Sequence, residues 1–64
     1  MQIYQKIIKR KPVSQDARHF ESINAFVHNV TDKANELIEE NNDINIINIS
    51  YINEYTALII YTES

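Results

Sequence analysis

The chain has 64 residues, 44% of them apolar and 23% charged, with a net charge of −3 and neither cysteine nor glycine. Its length bounds it to one small domain, residues 1–64. The missing cysteine excludes disulfides, thiolate zinc sites and thiol catalysis, and the missing glycine excludes the phosphate-cradling P-loop and the dinucleotide-binding turn.

Residues 2–10, QIYQKIIKR, carry Ile3, Tyr4, Ile7 and Ile8 at helical spacing. Their β-branched character and the following Lys11-Pro12 favour a short strand instead. A third strand also turns a marginal hairpin into a viable sheet. A loop over 11–15 follows, stopped by Pro12.

The next element is an amphipathic helix. Ile23, Phe26, Val27, Val30, Ala34, Leu37 and Ile38 recur at i, i+3, i+4 and i+7, the spacing of one helix face. Phe20 extends the stripe backwards. Ser14, Asp16 or Ser22 can cap its start, which places the onset between Gln15 and Ser22. The opposite face carries Glu21, Asn24, His28, Asp32, Asn35 and Glu39. Asn41 and Asn42 end it, one of them expected in the left-handed region that glycine would otherwise supply.

Two strands close the chain. The first runs from about Ile44 to Ile52, and its alternation slips between Ile46 and Ile47, the mark of a bulge. A tight turn at Asn53-Glu54 leads into the second, Tyr55 to Thr62. That last strand is apolar on both sides. Tyr55, Ala57, Ile59 and Tyr61 point one way, Leu58 and Ile60 the other. The pattern predicts an α+β fold of order β-α-β-β. Its three-stranded antiparallel sheet has order 1-3-2, with one helix on one face and the most apolar strand in the centre.

Ordering such a chain costs about 1.5 kcal/mol per residue, and small domains that offset this commonly add a disulfide, a metal or a partner. One helix covers only one side of a sheet, so the second side needs a cover. Self-association or a protein partner is the simplest one. Tyr51, Tyr55 and Tyr61, which combine apolar area with a polar tip, join Leu58 and Ile60 as candidate interface residues.

The reactive residues give little. His19 and His28 lie nine positions apart and would face opposite sides of one helix. His28 and Asp32 form an i, i+4 pair that reads as a solvated surface pair, and Asp16 near His19 reads the same way. Glu36, Glu39, Glu40 and Asp43 lack the loop geometry of a calcium site. No catalytic residue, metal or cofactor is expected. Tyr4, Lys6, Lys9, Arg10 and Lys11 form the one basic segment, and cations beside an aromatic can hold single-stranded nucleic acid. The acidic whole argues against that, and lysines guarding an edge strand are the favoured account of the segment. No apolar run reaches the roughly 20 residues of a membrane span, and no signal-peptide pattern is visible. The expectation is a cytoplasmic protein away from the membrane.

The order of parts, and above all the ending INISYINEYTALIIYTES, resembles a family of very small sporulation-associated proteins of Firmicutes with relatives in phages and mobile elements. Ile44 to Tyr51 matches a strand of the "V-I-D-I-x-Y" kind and Tyr55 to Tyr61 one of the "Y-S-A-L-I-I-Y" kind, with a looser match around Phe26. The resemblance covers about the C-terminal two thirds, while the basic run and Pro12 depart from it. It implies fold and source and carries over no catalytic residue. A composition rich in Ile, Asn, Lys and Tyr agrees with such AT-rich genomes. The function expected is a non-enzymatic interaction protein, a small homo-oligomer of phage or mobile-element origin that binds and modulates a host protein. The alternatives are a single-stranded nucleic-acid binder, or an oligomer that sequesters a small ligand with Arg10, Arg18 or His19 at its edge.

Overall fold

A computed structural model describes residues 2–15 and 18–64. It contains β1 (Gln2–Lys9), α1 (Ile23–Glu40), β2 (Ile44–Asn53) and β3 (Thr56–Glu63). The strands form one antiparallel sheet in the order β1-β3-β2, and the helix packs on one face of it, over β2 and β3. The β-α-β-β order, the 1-3-2 sheet and the single helix are those the hydrophobic periodicities predict.

The helix begins at the last of its three candidate caps. Ser22 is the N-cap, its hydroxyl accepting from the Ala25 backbone N–H at 3.1 Å. Phe20 therefore lies outside the helix, in a small loop ladder where Pro12 and Phe20 bridge. There Val13 N–H donates to His19 O at 2.7 Å and Glu21 N–H to Lys11 O at 2.9 Å. Residues 11–13 and 19–21 are thus tied together. Asp16, a candidate cap and a candidate partner of His19, lies outside the described residues.

At its other end the helix closes on Asn41, whose backbone is extended, with φ −150° and ψ 109°. The expected left-handed turn does not fall on this residue. Instead its side chain makes the stop. Asn41 Oδ1 accepts from Asp43 N–H at 2.9 Å, and its amide nitrogen donates to the Glu63 carboxylate on β3.

The core is thin. Phe26, Val30, Ala34 and Leu37 of the helix meet Ala57 and Ile59 of β3, with Ile8, Ile44, Ile46, Ile49 and Tyr61 packed around them. Ala57 and Ile59 are fully buried, as a central strand requires. The rest of the predicted helical stripe is different. Ile23, Val27 and Ile38 remain more than 40% exposed, because they lie on the helix flank beyond the sheet contact.

The β2–β3 register shifts between Ile46 and Asn48, where the alternation slips, and again between Tyr51 and Asn53. The hairpin turn sits one residue further on than predicted. Asn53 pairs with Thr56, which leaves Glu54-Tyr55 as the two-residue loop. Asn53 Oδ1 accepts from Tyr55 N–H at 2.8 Å and holds that loop, the turn a short amide side chain makes with its own backbone.

Candidate interaction surface

Strand alternation divides every side chain of the sheet between the helix face and the open face. Ile8, Ile44, Ile46, Ile49, Ala57, Ile59 and Tyr61 pack on the helix side. Their neighbours in sequence therefore point the other way. The register sets the open face in rows. Ile3, Thr62 and Asn45 lie side by side, then Gln5, Ile60 and Asn48, then Ile7, Leu58 and Ser50. Ile47 and Ile52 sit at the two register shifts of β2 and are more than half exposed.

Ile3 is 68% and Ile7 60% exposed. Leu58 and Ile60, in the middle strand, are half-buried between their neighbours. Among the described residues the only charged side chain on this face is Lys9 at one end, where its Nζ donates to Thr56 Oγ1 at 3.4 Å. The surface is an uncharged, branched-aliphatic strip edged by the amides of Gln5, Asn45 and Asn48. Exposed aliphatics scattered singly are ordinary, whereas a contiguous strip of them is not.

The five candidate interface residues do not share a face. Leu58 and Ile60 stand on the open side. Tyr61 packs against the core and stacks on Tyr4 with ring centroids 5.5 Å apart. Tyr51 meets the edge of Phe26 at 6.0 Å on the helix side, although nearly half of it stays exposed. Tyr55 belongs to a third place. Phe20 tilts against its ring at 4.9 Å and the Arg10 guanidinium lies 5.5 Å above it.

The basic segment is divided in the same way. Tyr4 and Lys6 lie on the helix side, by alternation with Ile8, and Lys9 lies on the open side. Arg10 is committed to the fold. Its Nε donates to Glu21 O at 2.6 Å, one guanidinium nitrogen donates to Glu54 O at 3.4 Å, and its backbone N–H donates to Tyr55 O at 2.8 Å. Lys11 is exposed, with its backbone in the loop ladder. These side chains do not gather into one cationic patch. A sheet that stacks bases offers aromatics on its free face, and here the strand tyrosines Tyr4, Tyr51 and Tyr61 lie on the other side.

The histidines stay apart as well. His28 Nε2 is 3.6 Å from Asp32 Oδ2 on the solvated face of the helix, with the His28 side chain 77% exposed. The His19 backbone N–H donates to Ser14 Oγ at 3.4 Å. Among the described residues no group of three or more acidic, histidine or cysteine side chains converges as metal ligands would, and no pocket opens. Among the described residues no helix is long and apolar enough to cross a membrane.

Two features of the surface escaped the sequence reading. Ile3 and Ile7 belong to the open-face strip, and the signal was present in the alternation Ile3, Gln5, Ile7, Lys9. The Arg10–Tyr55–Phe20 cluster had no such signal, because it joins segments distant in sequence. Fold and surface together define a small two-layer α+β protein with one face of its sheet uncovered. No protein-family model, curated protein or solved structure matches this chain.

Proposed function

We propose that the protein is a non-enzymatic interaction protein of the cytoplasm whose open sheet face is its contact surface. It works by binding and modulating another protein, as a phage or mobile-element product of a Firmicute host would. One observation carries the reading: the strip of Ile3, Ile7, Leu58 and Ile60, uncharged apart from Lys9 at its end, lies opposite the helix on a sheet with a single covering helix. Exposed aliphatic surface of this kind marks a place where another surface is buried. The polar edge of Gln5, Asn45 and Asn48 fits the rim of an interface, where hydrogen bonds set register.

The nucleic-acid reading is less favoured. Tyr4 is stacked on Tyr61, Arg10 is tied into the loop, and Lys6 and Lys9 lie on opposite faces. Affinity capture from a Firmicute lysate, with an Ile7→Lys variant and an Ile38→Lys variant beside the wild type, tests the proposal. A partner lost with Ile7→Lys and retained with Ile38→Lys supports it. Tight oligonucleotide binding that falls steeply with salt and depends on Lys9 and Lys11 would replace it with the alternative.

A further inference from the structure

Resting on the reading of the open face as a contact surface, we infer that its occupant is a second copy of this chain. The two copies pack sheet to sheet about a two-fold axis that runs across the strands. The product has four layers, with the two sheets inside and the two helices outside.

Three observations favour a second copy. The first is charge. In a two-fold interface each residue near the axis meets itself, so a charge there meets a like charge. The centre of this face has none, and its polar groups are amides and hydroxyls. Such groups both donate and accept, and so can pair with their own copies. Lys9, the one cation, sits at one end. An axis across the strands sends the two Lys9 side chains to opposite ends of the dimer, whereas an axis along the strands would bring them together.

The second is the distribution of acid. The exposed helix side chains include Asp32, Glu36, Glu39 and Glu40, and each copy carries a net charge of −3. Packing sheet to sheet holds the two helices roughly 30 Å apart, with about 10 Å for each layer contact. That is well beyond the Debye length of about 8 Å at physiological salt. Pairing through the half-exposed helix flank of Ile23, Val27 and Ile38 would instead bring the acidic helices into contact.

The third is area. Three strands of about eight residues make a flat footprint of roughly 14 Å by 26 Å. With side-chain relief, two such faces bury on the order of 1,000 Å² in total, the lower limit of a specific interface. The association expected is therefore in the micromolar range. Burial of Leu58 and Ile60 also gives the thin core of each copy the second layer it lacks.

Sedimentation equilibrium on the full chain tests this inference. Wild type should weigh as a dimer at tens of micromolar and dissociate on dilution. The double variant Ile3→Lys, Ile7→Lys should weaken association by about tenfold or more. Both positions are already exposed in the single chain, so its circular dichroism should match wild type. The helix-flank pair Val27→Lys, Ile38→Lys should remain dimeric. A wild type that is monomeric at every concentration overturns the inference, as does a dimer that survives the β1 double variant or is lost with the flank pair. A monomeric wild type whose captured protein partner is lost with Ile7→Lys would remove the second copy but leave the interaction reading standing. Loss of neither association nor capture would remove both.

Discussion

The two faces of the sheet use the same residue types to opposite ends. On the helix side Ala57 and Ile59 have lost all contact with solvent, and Phe26 and Val30 close over them. On the other side Leu58 and Ile60 stand one residue away in the same strand, flanked by the largely exposed Ile3 and Ile7. The difference lies in what opposes the strand rather than in the strand itself. A strand buried on both faces reads apolar on both, and this chain supplies a cover for only one of them.

The comparison predicts where mutations do most harm. Phe26→Ala should cost about 3–5 kcal/mol and Ile59→Ala about 2–5 kcal/mol, the usual losses for emptying a packed site. A domain of this length has only about 3–10 kcal/mol of total stability. Urea denaturation should then show a midpoint moved far towards zero denaturant. Leu58→Asp should act through association. It puts an unpaired carboxylate into the proposed dimer interface, where a buried charge is strongly disfavoured, and light scattering should report an unstable or aggregating monomer. The two faces thus separate by readout: helix-side truncations lower stability at every concentration, and open-face charges lower it chiefly where the protein would have been dimeric.

Much of this division is legible in the sequence. The alternation of Tyr55 to Tyr61 already separates Ala57 and Ile59 from Leu58 and Ile60, because strand periodicity is strict. The helical stripe is legible too, but not its width. Ile23, Val27 and Ile38 share its spacing with Phe26, Val30 and Leu37, and only the docking of the helix over β2 and β3 decides which of them is covered. The tyrosines were the least legible. Tyr51, Tyr55 and Tyr61 have one residue type and similar spacing, yet one edges against Phe26, one is clasped by Phe20 and Arg10, and one stacks on Tyr4. Each contact is made across elements, where sequence spacing gives no guide.

The clasp yields a smaller effect. Arg10→Ala removes the donor to Glu21 O and the cation above Tyr55, and should lower the unfolding free energy by about 1–2 kcal/mol. Hydrogen exchange should localise the loosening to the ladder of residues 11–13 with 19–21 and the β2–β3 turn, and leave the open face unchanged. His19→Ala and His28→Ala should do least, staying within about 0.5 kcal/mol of wild type in thermal melts. Stoichiometric zinc lost with either histidine would show that a solvated surface pair was the wrong reading.

The contrast between the two faces can be read directly from the isoleucine and leucine methyl groups by NMR on dilution. The methyl signals of Ile3, Ile7, Leu58 and Ile60 should move together as the protein is diluted through the micromolar range. Those of Ile59, sealed on the helix side, and of Ile8 and Ile49, packed around it, should stay nearly in place. Shifts confined to Ile23 and Ile38, or an open face whose methyl signals do not respond, would contradict the account.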